Sequence, residues 1–171
     1  LGFEQGKNES CVFRHKIMDV VIIVFVDDLL LDGSHDDLVT VHKQIRSRFL
    51  IGDLDELSPT NPIDYIGLKI TMDRDKIYVS MKDYVDKALK AMNWEHLAPS
   101  SLPLRGTIES SPLLDSKDRT LFMRGTGIAG WVVNALRSDL AATQSRICQY
   151  HAAPTQLALE ALRTMFRYLK G

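Results

Sequence analysis

The chain has 171 residues, 45% of them hydrophobic and 25% charged, values of a globular protein able to bury a core. A formal net charge of −1 excludes a nucleic-acid binder that acts through bulk positive charge alone. No apolar run reaches the length of a membrane span, and the early charges fit no signal-peptide pattern.

The charge is unevenly placed. Residues 1–118 hold 14 Lys/Arg against 20 Asp/Glu, whereas residues 119–171 hold 7 against 2. A basic C-terminal third suits contact with phosphates, and it equally suits a plain complement to the acidic half. Cys11 and Cys148 lack metal-ligand spacing. They read as small buried residues with free thiols in a reducing, intracellular compartment. The histidines are scattered and form no ligand cluster.

Residues 10–13 read as a short strand and 18–26 as a firm one. The apolar run from Val20 to Val26 is that of a strand covered on both faces. A return strand from Leu29 would leave Asp27 and Asp28 at the tip of a hairpin. Two adjacent carboxylates on a rigid element repel each other and invite protonation or a cation. All-oxygen donors suit a hard ion such as magnesium. Paired magnesium ions hold the attacking and leaving oxygens of a phosphoryl transfer in polymerases. On turn statistics alone, Asp-Asp is ordinary solvated turn chemistry.

Ser34 to Asp37 has the spacing of a helix cap. Leu38, Val41, Ile45 and Phe49 follow at helical spacing, and Gly52 ends the element. An acidic loop covers 53–62. Residues 65–70 read as a strand, which Asp73-Arg74-Asp75 turns into a partner over Lys76–Ser80. Ser80 and Asp83 have capping-box spacing ahead of a helix over 81–93, with Val85, Ala88, Leu89 and Met92 inward. Residues 94–117, with Pro99, Pro103 and Pro112, form a linker or surface loop.

Three helices follow. The first covers about 121–136 and carries Gly125, Gly127 and Gly130. The second starts near Ser138-Asp139, with Leu140, Thr143, Ile147 and Tyr150 as its stripe. The third begins at Pro154-Thr155, with Leu159, Leu162, Met165, Phe166 and Leu169 as its apolar face. Arg163, Arg167 and Lys170 load its end with positive charge, which complements the helix dipole or meets a nucleic-acid backbone.

Phe25-Val26-Asp27-Asp28 resembles the Tyr-Val-Asp-Asp hairpin of reverse transcriptases, and more narrowly that of copia-type retrotransposons. Tyr65-Ile66-Gly67-Leu68 is similar to that family's Tyr/Phe-Leu-Gly-Ile strand, and Lys82-Asp83-Tyr84-Val85 to its Gln-x-x-Tyr-Ile helix. Arg137-Ser138-Asp139 resembles Arg-Pro-Asp. Pro154-Thr155 and Arg167-Tyr168-Leu169-Lys170-Gly171 match Pro-Thr and Arg-Tyr-Leu-Lys-Gly. Asp55, Met81, Met123, Ser138 and Ala158 depart from the pattern.

The resemblance implies an α+β fold. Residues 1–93 would be a partial polymerase palm, an antiparallel sheet with the catalytic-type hairpin and helices. Residues 94–117 would be a linker, and 118–171 a helical thumb or connection segment. It implies RNA-directed DNA polymerase chemistry on an RNA template and a DNA primer, in the cytoplasm or a virus-like particle. Two magnesium ions would be held by Asp27, Asp28 and a third carboxylate on an earlier strand of the family. Tyr65, Gly67 and Lys69 would lie on the primer side, and Arg163, Arg167 and Lys170 near the nucleic-acid backbone. The expectation is a fragment, inactive by itself unless a partner supplies the earlier palm strand. The alternative is an inactive retrotransposon remnant kept as a structural or binding subunit.

Overall fold

The computed structural model describes residues 1–74 and 76–171. They form two compact units, Leu1–Val79 and Ser80–Gly171. The sequence pattern placed the boundary after residue 93. The helix over 82–91 instead falls in the second unit, where its buried face meets the C-terminal helix.

In the first unit, β1 (Phe3–Gln5), β2 (Val12–His15), β3 (Val20–Phe25) and β4 (Asp28–Gly33) pair antiparallel in chain order. Side chains alternate across a strand. Val20 and Ile22 therefore face α1 (His35–Arg46) and share a core with its Val41 and Ile45; Val24, Leu29 and Leu31 pack against it. The opposite face carries Val21, Ile23 and Phe25. Among the described residues this strand is not covered on both faces: Phe25 is 47% exposed.

Ser34 caps α1, its hydroxyl accepting from the Asp37 N–H. The helix stops at Arg46 rather than near Gly52, and Phe49 lies outside it, 60% exposed. Contacts from α1 draw the following loop back along the helix. His42 Nε2 donates to the Gly52 carbonyl (2.9 Å), and Arg46 pairs with Asp53 (2.6 Å).

The segment read as one strand over 65–70 is a hairpin. β5 (Ile63–Tyr65) and β6 (Leu68–Asp73) close on the pair Tyr65–Leu68. Ile66 (φ 48°) and Gly67 (φ 85°) make the two-residue turn. Positive φ at both positions matches right-handed strand twist, but Ile at such a position gives little turn signal in sequence. β7 (Lys76–Ser80) lies beside β6. Asp75, expected in the intervening turn, lies outside the described residues.

The second unit is helical: α2 (Lys82–Ala91), α3 (Ser116–Ala135), a 3₁₀ turn (Ser138–Leu140), α4 (Ala141–Cys148) and α5 (Gln156–Lys170). Leu89, Phe122, Leu140, Ile147, Leu162, Met165 and Phe166 are fully buried between them. The expected Ser80–Asp83 capping box does not form. Met81 takes the cap position, and the Ser80 hydroxyl accepts from the Lys82 N–H at 3.1 Å. Small residues do permit close helix contact at Gly125, where an added Cβ would lie 2.8 Å from Leu162 Cδ2. At Gly127 nothing approaches within 4 Å.

The 94–117 segment is pinned rather than free. Trp94 is buried edge-on against Phe166, with ring centroids 5.4 Å apart. The Leu114 N–H donates to the Pro154 carbonyl, and the Gln156 N–H to that of Pro112. Among the described residues no helix is long and apolar enough to cross a membrane.

Candidate functional site

The β3–β4 pair fixes both carboxylates. Its register runs from Val20–Gly33 to Phe25–Asp28, leaving Val26 and Asp27 as a two-residue turn. Asp28 is therefore the first residue of β4, and the tip itself is Val26-Asp27. Residues directly opposite in an antiparallel pair share a face. Asp28 thus belongs with Phe25 and Ile23, on the face turned away from α1. Asp27 and Asp28 are both exposed.

Val26 has φ 52° and is 82% exposed. A β-branched residue in that region is an outlier that costs about 1–2 kcal/mol. Local strain of this kind clusters at functional sites. Here it holds the chain in a tight reversal that carries Asp27 beyond the end of the ladder.

Tyr65 closes the second hairpin, and its side chain is only 9% exposed. The hydroxyl is shut off from solvent and has no hydrogen-bond partner among the described residues. Such a group costs about 1–3 kcal/mol. Burial raises the phenol above its usual value, with Asp28 and then Cys11 adding to the effect. The proton therefore stays on, and the hydroxyl is a donor without an acceptor. Cys11 is exposed, contrary to the buried role expected of it, and its carbonyl accepts from the Val24 N–H beside the hairpin tip (2.8 Å). Hydrophobic periodicity carries no sign of the stranded Tyr65 hydroxyl.

Burial leaves the Tyr65 ring little surface to offer a primer. Gly67 is exposed at its turn, and Lys69 on β6 is half-buried. The three C-terminal cations have work inside the second unit. Arg167 Nε donates to the Ala98 carbonyl (2.7 Å), and Lys170 Nζ to those of Glu95 and Leu97. The Arg163 guanidinium lies over the Trp94 ring, 5.7 Å from its centre, and pairs with Glu160. These contacts clamp residues 94–98 to the end of α5.

The donor chemistry at the hairpin tip is all oxygen. Magnesium is commonly held by one or two protein carboxylates, with waters and phosphate oxygens completing the shell. Asp27 and Asp28 fit that share. No group of three or more His, Cys, Asp or Glu side chains able to hold a metal occurs among the described residues.

Retrotransposon polyproteins are similar to this chain along nearly its whole length. A retrovirus-related Pol polyprotein from transposon TNT 1-94 of Nicotiana tabacum is 23% identical, over 96% of this chain and 13% of its own length. The corresponding polyprotein from transposon RE1 of Arabidopsis thaliana is 25% identical, over 100% of this chain and 12% of its own. An uncharacterized mitochondrial protein of Arabidopsis thaliana is 26% identical over 88% of this chain. The chain spans about an eighth of the two polyproteins and 61% of the mitochondrial protein. No family model matches, and no solved structure matches. The similarities support a retrotransposon-derived chain.

Proposed function

We propose that this chain is a piece of a copia-type reverse transcriptase, covering part of the palm and the helical thumb or connection, and that it contributes the Asp27–Asp28 pair to templated nucleotidyl transfer. The observation that carries this function is the tight β3–β4 reversal. It presents two exposed carboxylates at the end of a packed strand pair, within a chain similar to Pol polyproteins from end to end.

A pair of magnesium ions would supply the activation of the primer hydroxyl and the neutralisation of the leaving pyrophosphate. This chain's own part is placement. β3 and β4, anchored on α1 through Val20, Ile22, Leu29 and Leu31, fix the backbone that carries the two carboxylates. Rigid, pre-oriented charge is what phosphoryl transfer asks of a protein. Gly67 and Lys69 are proposed on the primer side. Arg163, Arg167 and Lys170 would reach a nucleic-acid backbone only with whatever their existing contacts leave open.

We propose that the pair works together with a third carboxylate, as the resemblance implies, and that the chain is inactive when alone. The test is a chimera in which residues 20–33 replace the corresponding hairpin of an active copia-type reverse transcriptase. Primer extension on an RNA template is expected to survive the exchange and to vanish with Asp27→Asn. A soluble chimera with no extension favours the second reading, an inactive remnant kept as a binding or structural subunit.

A further inference from the structure

Each of the two sheets ends in a pair of edge strands, β1 and β4 in one, β5 and β7 in the other. An edge strand presents unpaired backbone N–H and C=O groups, and proteins blunt it by keeping it short or by charging it. β1 and β5 have only three residues each. β4 carries Asp28 and Asp32 near its two ends. β7 has neither protection: it runs for five residues with a single charge, Lys76, at its first position. Among the described residues no strand pairs with its far side.

All five residues of β7 are exposed. Alternation lets a strand bury one face, yet Ile77 and Val79 on one face and Tyr78 on the other are 63%, 41% and 50% exposed. β-branched and aromatic side chains are the ones that gain from cross-strand neighbours. Packing within the chain gives no reason for such a run at a sheet edge. The strand is also complementary to itself. An antiparallel copy turned about Tyr78 sets Ile77 opposite Val79, Tyr78 opposite Tyr78 and Lys76 opposite Ser80. Apolar then meets apolar, and no charge meets its like.

We propose that β7 is a dimerisation edge, pairing antiparallel with the β7 of a second copy of this chain in that register. The two three-stranded sheets then join into one. A two-fold contact of this kind uses up both edges and closes at the dimer. The three-residue β5 left at each outer edge offers little to extend. A five-residue strand pair is small beside a standard interface of about 1,600 Å², so the dimer is weak and forms as concentration rises. This edge is separate from the Asp27–Asp28 hairpin, and its role holds whether or not those carboxylates take a metal.

Sedimentation equilibrium of the whole 171-residue chain reads the assembly. The wild-type chain is expected to pass from monomer to dimer with concentration and to stop there. Ile77→Lys combined with Val79→Lys sets lysine against lysine twice across the two-fold axis. It is expected to raise the dissociation constant about tenfold or more. Ile77→Lys combined with Val79→Glu introduces as many charges but sets lysine against glutamate. It is expected to stay within about threefold of wild type. Amide hydrogen exchange needs no variant: amides within 76–80 should gain protection as the wild-type concentration rises. A chain that stays monomeric, or that assembles beyond the dimer, overturns the proposal. So does a dimer that the double-lysine variant leaves intact, one that both double variants lose equally, or one that forms without protecting 76–80.

Discussion

Asp28 stands directly across the strand pair from Phe25, on the sheet face turned away from α1. The carboxylate is thereby attached to the core through its strand but takes no part in it. Its neighbour Asp27 sits one residue earlier in the turn and is also exposed. Asp27→Asn and Asp28→Asn should therefore each change stability by no more than about 0.5 kcal/mol, as surface substitutions usually do. Urea denaturation of both variants checks this. A loss of several kcal/mol would mean that the carboxylates hold the fold rather than serve a ligand.

Val26 gives the hairpin its strain. At φ 52° and largely exposed, it makes no packing contribution that outweighs its conformational cost. Val26→Gly removes a penalty of about 1–2 kcal/mol and restores some chain entropy to the unfolded state. The net expectation is a gain of about 0.5–1 kcal/mol in the urea midpoint analysis. A loss would show that the valine side chain is held by contacts that outweigh the strain.

Gly125 and Gly127 lie on the same helix and should respond oppositely to alanine. Gly127 meets nothing within 4 Å, so alanine brings only its helix propensity, a gain of about 0.5–1 kcal/mol. At Gly125 a methyl group would sit 2.8 Å from Leu162 Cδ2 and 3.5 Å from Met92 Sδ. Leu162 is wholly buried, so any shift of its methyl group has to be taken up by close-packed neighbours. Overpacking costs about 1–3 kcal/mol and should win over propensity, leaving Gly125→Ala about 1 kcal/mol less stable. Thermal midpoints of the two variants decide it.

Arg137 grips Asp139 with two hydrogen bonds of 2.9 Å and lies over the Tyr168 ring. Hydrogen bonding and charge from Arg137 hold the Asp139 carboxyl below its usual value. A depressed carboxyl contributes stability above its unfolded value near 4, and that contribution fades as pH falls through the folded value. Asp139 is about half exposed, so solvent screening keeps the effect small. The thermal midpoints of wild type and Asp139→Asn should differ at pH 7 and converge towards pH 2. An equal gap at both pH values would assign the effect to shape rather than charge.

Much of this architecture was legible in residue patterns. The Val20–Phe25 strand, the Ser34 cap and the α5 face all follow from alternation, capping chemistry and helical spacing. The misses share a cause. Ile66 adopts positive φ although its side chain disfavours it, so its turn does not announce itself. The β3–β4 turn, expected at Asp27-Asp28, falls one residue earlier, at Val26-Asp27, because Val26 takes a positive φ that its side chain disfavours. Phe49 kept helical spacing after hydrogen bonds to Gly52 and Asp53 had already turned the chain away. Arg167 and Lys170 read as surface cations, yet backbone carbonyls of 95–98 claim them through contacts some seventy residues apart in sequence. Tyr65 read as a ring to be packed or offered, and only the folded chain reveals its stranded hydroxyl.

The most direct measurement is a Mn²⁺ titration followed by amide NMR, with relaxation broadening as the readout. Signals of residues 26–29 should broaden first, and the broadening should disappear in an Asp27→Asn, Asp28→Asn double variant. Broadening that begins instead at the acidic residues 53–56 or 36–37, or that persists in the double variant, would contradict a metal site at the hairpin tip.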